Sequence, residues 1–579
     1  MKLPGFFHRL KPYTKTVRPD AVAGVVLGVE SVPDALASGV LAGVNPLYAL
    51  YAVMMGTPVG AIFSGSVYLS VQTTSAMALV VASVPAVTSG DSPGTLFALS
   101  LMTGVIMLVA GFLKGGRLLR WVSNAEMVGF MTGVAALIIL GQLGDLTGYS
   151  SEYSNKVAKA VDLLFNLDQV DLPTVTVGIG TIILILILQK TRLRGFGLVV
   201  AIIVASILPS LFGWDSVAKV SDIAEITGGL PTPALPDFSQ FFELIVPALS
   251  LTVIGLIQGA GVSQAFVNPD GKYPNPSRDF IGEGAANVAA GFFQGMPVGG
   301  SASATSLVVS SGGRSRLANI FAGVVIAIVT LLFSGAVGKL ALPALAGLLI
   351  VIGFGIIKPV NIRSVWHTGN IQRIIMVITF ALVLMIPLQY AVLVGVALSI
   401  FLYTVRQSHR ITVVEWKLKE GRLPIEQTPP ATVAPGSVTV LVPYGSLFYA
   451  AAPTFEDKLP KTDAQTSNAV VIINLHSRED VGSTFMRTID RYSEDLKQHG
   501  SRLMLAEVDP SLREQLARVG IVDSVSRRSI FVRTEEVAGS LYEAYAAAEE
   551  WVSQQEAMKE GEPEDGPEDG PEGGPEGGA

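Results

Sequence analysis

The chain has 579 residues, 50% of them hydrophobic and 15% charged, and a formal net charge of −7. Soluble domains carry roughly 25% charged residues, so most of this chain is built for lipid and an ordinary soluble protein is excluded. It has no cysteine, which excludes disulfides and thiolate metal sites, and its five histidines (His8, His367, His409, His476, His499) have no metal-ligand spacing.

Residues 1–19 are basic, with Lys2, Arg9, Lys11 and Lys15, and lack a signal-peptide core or a small-residue cleavage site. They are expected to be a cytoplasmic N-terminal segment. A spanning helix needs roughly 17–25 apolar residues. Stretches of that kind lie near 20–37, 46–64, 95–113, 124–143, 173–189, 195–213, 241–262, 280–296, 316–333, 341–357, 371–386 and 388–406. Two shorter runs, near 73–86 and 303–311, are rich in Ser, Thr, Ala and Val and follow helix-breaking residues, Gly65-Ser66 and Met296-Pro297-Val298-Gly299-Gly300. Together they give 14 segments, seven on each side of the polar stretch Trp214–Gln240.

An odd number per half makes the second half enter from the opposite face. The expected fold is an α-helical polytopic membrane protein with a 7+7 inverted repeat, repeat 1 over about 20–213 and repeat 2 over about 241–406, in a transport domain of 20–410. The loops agree with this map under the positive-inside rule. Lys114, Arg117 and Arg120, then Lys190, Arg192 and Arg194, then Lys272 and Arg278, then Arg314 and Arg316, and last Arg363 and Arg373 all fall in even-numbered loops. Odd loops are neutral or acidic, as with Asp215, Asp222, Glu225 and Asp237. Both termini are therefore expected inside the cell (inner) membrane.

Beyond Arg406 the composition becomes that of a soluble protein. Residues 411–436 read as a charged, Pro-containing linker, and 437–553 as a small cytoplasmic α/β domain. Its expected strands are Val438–Val442, Ala469–Leu475 and Arg502–Leu505, with helices near Ser483–His499 and Pro510–Val519. Residues 554–579 form an acidic tail whose Pro-Glu-Asp-Gly-like repeats are disordered by composition.

Two interrupted, hydroxyl-rich segments at matching places in two halves point to a transport site near mid-membrane. Their N-terminal amides and macrodipoles favour an anion. Gln72, Thr73, Thr74 and Ser75 of the first, with Ser301, Ser303, Ala304 and Thr305 of the second, are the candidate contacts, and Gln258 is a polar residue in segment 8. Small hydroxylated residues also allow close helix packing, which is the competing explanation. Glu30 and Asp34 lie in apolar segment 1, where a charge costs about 2.5–3.5 kcal/mol or more. They are expected to couple transport to a proton or a sodium ion, with Pro33 breaking the helix between them. Capping of a broken helix is the alternative role.

The residues Asp20–Gly24, Val32–Ala37 and Leu41–Tyr51, then Gly284–Asn287 and Gly295–Ser301, resemble the sulfate permease (SulP) anion transporters. Gly445–Ala452 resembles the second strand of their C-terminal STAS domain. The resemblance implies core and gate domains, a homodimer, and transport of sulfate, bicarbonate, chloride or dicarboxylates. Three departures stand out. Pro33-Asp34 replaces a common Pro-Gln, Gln258 replaces a usual Glu, and Ala304 stands where an Arg is common. Loss of the Arg with its acidic neighbour is coherent, since either alone would be an unpaired charge in the membrane. It tilts the substrate toward a singly charged or protonated anion.

In the STAS-like domain, the position of a phosphorylatable Ser falls on Val481 within Glu479–Thr484, and Ser483 reads as a helix cap. Dimer assembly or a cytoplasmic regulatory partner suits this domain. The function expected is secondary active transport of a small anion. The alternatives are an exchanger or channel of the same fold, and a nucleobase symporter. No catalytic residue, cofactor, metal or nucleic acid is expected.

Overall fold

A computed structural model describes residues 17–560 apart from 90–91, 117–122, 154, 192–195, 227, 409–410, 420–421, 446, 448, 479–480 and 520–524. Residues 1–16, the loop arginines Arg117, Arg120, Arg192 and Arg194, the Glu479-Asp480 pair and the tail from 561 lie outside the described residues. The chain divides into two compact units at Ile400/Phe401.

The first unit holds α1 Val17–Ala42, α2 Pro46–Phe63, β1 Ser70–Gln72, α3 Ser75–Ala82, α4 Pro93–Phe112, α5 Asn124–Gly141, α6 Leu172–Leu188 and α7 Gly197–Phe212. The second repeat supplies α8 Phe241–Ala265, α9 Pro276–Phe292, β2 Gly299–Ser301, α10 Ala302–Ser310, α11 Leu317–Gly338, α12 Leu342–Ile356, α13 Asn370–Met385 and α14 Leu388–Ser408. Seven of the described helices are long and apolar enough to cross a membrane, and shorter apolar helices account for α6, α7, α13 and α14. Helix starts follow local chemistry. Asn45 caps α2 through Leu47 N at 2.9 Å, and Asn275 caps α9 through Ser277 N at 3.0 Å, each followed by a proline whose missing N–H costs nothing there.

The two halves pack as mirrored partners. Helix α1 lies on α11 as its counterpart α8 lies on α4, and α2 lies on α11 as α9 lies on α4. Helix α5 pairs with α13 as α12 pairs with α6, while α2–α9, α5–α12 and β1–β2 each join counterparts. These pairings separate a core of α1–α4 and α8–α11 from a gate of α5–α7 and α12–α14. At the α4–α9 crossing a Cβ on Gly104 would lie 2.8 Å from Gly284 O, and one on Gly284 2.8 Å from Gly104 O. Membrane helices gain little from apolar contact with each other, so backbone proximity of this kind drives their association.

One expectation is corrected at α1. Pro33 lies inside a helix that runs unbroken from Val17 to Ala42. A proline removes one backbone bond, but buried neighbours in a helix bundle tolerate that loss.

The second unit is a six-stranded sheet in the order β4-β3-β5-β6-β7-β8. Its strands are β3 Thr412–Lys417, β4 Ile425–Gln427, β5 Val438–Tyr444, β6 Val470–Asn474, β7 Arg502–Val508 and β8 Ile530–Val532. Strands β5 to β8 are parallel, and β3 is antiparallel to both of its neighbours. Alternate residues serve opposite faces, as a strand's period of two requires. Val471 and Ile473 pack with α15 Ser483–Gln498 and α16 Pro510–Val519, while Val470 and Ile472 pack with α17 Gly539–Glu560.

Four expectations change here. The stretch read as a linker, 411–436, contributes β3 and β4 to the sheet. Gly445–Ala452 is not a second strand; it follows β5 and its described part holds a 3-10 turn at Tyr449–Ala451. Helix α17 runs to Glu560, so the tail does not begin at 554. Ser483 is the first helical residue of α15, and the preceding Gly482 stands at the cap without a side-chain bond.

Candidate functional site

The crossing of β1 and β2 organises the first unit. The strands pair antiparallel, with Ser70 opposite Ser301, Val71 opposite Gly300 and Gln72 opposite Gly299. Each strand leads within two residues into a short helix, α3 or α10, so two helix N-termini converge from opposite directions. Each strand is also clamped from behind. Asn287 of α9 accepts from Val298 N at 2.9 Å and donates to Val298 O at 2.7 Å, just before β2. Asn319 of α11 donates to Leu69 O at 3.2 Å, just before β1. Thr57 of α2 donates to Val71 O at 2.8 Å.

Buried carboxylates fix the loops around the crossing. Asp20 at the start of α1 accepts from Arg314 N at 2.6 Å and Ser315 N at 2.9 Å, beyond the end of α10. Asp279 at the start of α9 accepts from Ser66 N at 2.7 Å, ahead of β1, and from the Ser263 hydroxyl of α8. Charge-assisted bonds to backbone amides are among the stronger kind. They hold the irregular backbone that a membrane permits only where protein surrounds it.

The sequence-predicted residues fall into distinct places around this frame. Thr74 is the N-cap of α3 and accepts from Met77 N at 3.4 Å; its hydroxyl donates to Gln258 Oε1 at 3.1 Å. Ser301 is the N-cap of α10, accepts from Ala304 N at 3.3 Å, and shares a 3.1 Å hydrogen bond with Ser303. Gln258 also lies against the opposite strand, because a Cβ on Gly299 would be 3.2 Å from its Oε1. A side chain from α8 thus reaches the cap of α3 and the strand that leads into α10.

Other candidates face elsewhere. Thr305 is fully buried, accepts from Ser70 N at 3.0 Å and donates to Ser301 O at 2.7 Å, so its hydroxyl staples β1 to β2. Gln72 turns toward α1, donating to Ser31 at 2.8 Å. Thr73, Ser75 and Ala304 are buried, whereas Ser303 is exposed. Neither half-helix carries a Lys or Arg. The positive potential available there is that of first-turn amides without intrahelical acceptors.

Glu30 and Asp34 sit four residues apart on the unbroken α1, hence on one face. Glu30 Oε2 is buried without a hydrogen-bond partner among the described residues. The link from this face to the crossing is Ser31, next to Glu30, through its bond with Gln72.

Sequence reasoning missed Glu283, Asp279 and Asp20. Glu283 sat inside the predicted segment 280–296, and the signal that singled out Glu30 and Asp34 applied to it equally. Among the described residues no group of three or more His, Asp or Glu is placed to hold a metal ion. In the second unit Val481, at the expected phosphoserine position, is 2% exposed, and valine has no hydroxyl to phosphorylate.

Comparison with known proteins agrees with this architecture. The sulfate permease family model matches residues 17–379, and the STAS domain model matches residues 429–538. A probable sulfate transporter of Mycobacterium tuberculosis is 28% identical over 91% of this chain and 96% of its own length. The structure of murine Slc26a9, an anion transporter in the inward-facing state, superposes with a TM-score of 0.81 at 16% identity, covering 95% of each chain. The transmembrane domain of the cyanobacterial bicarbonate transporter BicA gives a TM-score of 0.57 at 23% identity, over 67% of this chain and 98% of that one. The chain belongs to the sulfate permease family and is a multi-pass membrane anion transporter, not an enzyme.

Proposed function

We propose that this sulfate permease family member is a secondary active carrier of a small oxyanion or carboxylate, held between the N-termini of α3 and α10. Sulfate, bicarbonate and a dicarboxylate are the substrate candidates; the first two are named in the descriptions of its relatives. The observation that carries this reading is the β1–β2 crossing, which brings two capped helix N-termini together, with Gln258 bonded to the cap of α3 and lying against β2. Ser301 and Ser303 add hydroxyls beside α10, and backbone amides supply the positive potential in place of a basic side chain.

Coupling to a proton or sodium gradient is assigned to Asp34 with Glu30. A carboxylate at that depth without a basic partner is stable when it binds a cation or a proton. The positive-inside pattern of the loops supports cytoplasmic termini and an inner-membrane location. The STAS domain is assigned to homodimer assembly or to contact with a regulatory partner.

Uptake by purified protein in liposomes tests this reading. Labelled bicarbonate, sulfate and fumarate are offered under imposed proton or sodium gradients, to wild type and to Asp34→Asn. One anion is expected to accumulate with a gradient in wild type and to lose that dependence in the variant. Uptake indifferent to both gradients and to the substitution would return Asp34 to a structural role.

A further inference from the structure

Glu283 is a deeply buried ionisable group of the transport unit. It lies on α9, is fully buried, and neither carboxyl oxygen has a hydrogen-bond partner among the described residues. Its carboxyl is wedged against α8. A Cβ on Gly259 would fall 1.9 Å from Oε1, and one on Gly255 3.0 Å from Oε2. Glycine at 259 is what makes room for the carboxyl. On another side is β2: a Cβ on Gly300 would be 3.1 Å from Oε1, and the Gly300 amide faces the carboxyl without reaching full hydrogen-bond geometry. Gln258, the residue before Gly259, carries the bond to Thr74 at the cap of α3. Glu283 therefore stands directly behind the crossing that defines the candidate anion site.

Its charged neighbours are few. Asp279, one turn earlier on α9, is the nearest acidic group. Helices α2, α3 and α4 and strand β2 carry no acidic or basic residue, and α8 carries only Glu243 in its first turn. Arg316 lies beside Asp279 and donates to Ala61 O and Gly65 O. A buried carboxyl without a basic partner persists in such a place by carrying a proton or a bound cation. Close packing of Oε1 on the Gly259 backbone suits a hydrogen atom rather than an ion with a coordination shell.

We propose that Glu283 is a proton-binding site of the transport cycle, protonated when the anion is bound and ionised when the site is empty. This rests on the coupled-carrier reading above and adds a second carboxyl to it, in the repeat opposite to Asp34. The step is a simple transfer. A proton from water reaches one Glu283 oxygen by way of the Asp279 end of α9, and returns to water on release, with no redox partner. The ionised carboxylate turns to the Gly300 amide and places a negative charge behind the anion site, so anion and proton favour each other's binding. Such linkage is reciprocal. Between the titration of the carboxyl in the empty site and its titration in the occupied one, anion affinity falls roughly tenfold per pH unit.

The test uses the full-length protein and the variants Glu283→Gln, Glu283→Met and Asp34→Asn. Infrared spectra taken across pH should contain a protonated-carboxyl carbonyl band that titrates reversibly. The band should persist in Asp34→Asn and be absent from both Glu283 variants. In liposomes, uptake of labelled sulfate, bicarbonate and fumarate should lose its dependence on the proton gradient in the Glu283 variants while exchange between equal pH values continues. Glu283→Met, apolar and of similar length, serves if the glutamine does not fold. If the Glu283 variants keep both the band and the gradient dependence while Asp34→Asn loses the latter, the coupled-carrier reading stands and this inference falls. Loss of a sodium dependence instead overturns the proton in favour of a cation. If wild type ignores the proton gradient but follows a sodium gradient, only this inference falls; if it ignores both gradients, the coupled-carrier reading falls with it.

Discussion

Thr74 Oγ1 donates to Gln258 Oε1 across 3.1 Å, joining the cap of half-helix α3 to the middle of α8. That bond fixes the amide group of Gln258 with its oxygen turned to α3, which leaves its NH2 group as a donor. An anion in the proposed site between α3 and α10 needs donors, and this side chain would contribute one without adding charge. The same hydroxyl also caps α3. A short contact between two polar side chains thus links local helix chemistry to the site.

Gln258→Ala is expected to weaken anion binding about tenfold, ~1.4 kcal/mol, with little loss of folded protein. Interhelical hydrogen bonds in membranes average about 0.6 kcal/mol, too little to unfold the domain. Gln258→Glu is expected to be worse, because a carboxylate there opposes the anion. Concentration dependence of uptake in liposomes reads both, and unchanged affinity in the two variants would remove Gln258 from the site.

The natural absence of cysteine makes single-cysteine labelling direct. Ser303→Cys is expected to react with a polar thiol reagent, and the transported anion should slow the reaction. Thr305→Cys is expected to stay unlabelled, since Thr305 is fully buried between β1 and β2. Equal labelling of both would mean that α10 presents another face to water.

Helix packing at the α4–α9 crossing makes a prediction about stability. Gly104→Leu or Gly284→Leu must displace the facing backbone, whose oxygen would lie 2.8 Å from the new Cβ. Overpacking of this kind costs about 1–3 kcal/mol. Thermal unfolding in detergent should shift downward for either variant. No shift would show that the two helices separate at little cost.

In the STAS domain, Phe485 is fully buried and packs against Phe455, the rings tilted by 47° with centroids 4.7 Å apart. Phe485→Ala is expected to cost about 3–5 kcal/mol and to open the second unit to protease in the intact chain. Arg491→Ala removes an exposed ion pair with Glu456 and is expected to cost under about 1 kcal/mol. Similar protease sensitivity of the two variants would contradict the core drawn for this domain.

The spans were legible because lipid demands a length of apolar sequence. The two half-helices were legible for the opposite reason, as polar, broken runs where apolar continuity was due. Their crossing was not. Strands of three residues carry no alternation, and the pairing of Ser70–Gln72 with Gly299–Ser301 is decided by clamps such as Asn287 and Asn319 from distant helices. Pro33 misled because its local cost is absorbed by the bundle around α1. Strands β3 and β4 hid in a charged stretch because an edge hairpin keeps many of its residues in water, as with Lys417 and Glu426, and these read as linker. Glu283 was visible as a charge inside segment 9, by the same signal that marked Glu30 and Asp34.

The most direct measurement is counterflow. Liposomes containing the purified protein are loaded with unlabelled sulfate, bicarbonate or fumarate, and entry of the same labelled anion is followed without any ion gradient. A carrier with one anion site between α3 and α10 should show entry accelerated by the internal anion for at least one of the three, and Gln258→Ala should reduce that acceleration. Entry that is indifferent to the internal anion and to this substitution would contradict the account and describe a channel, or an anion path elsewhere in the protein.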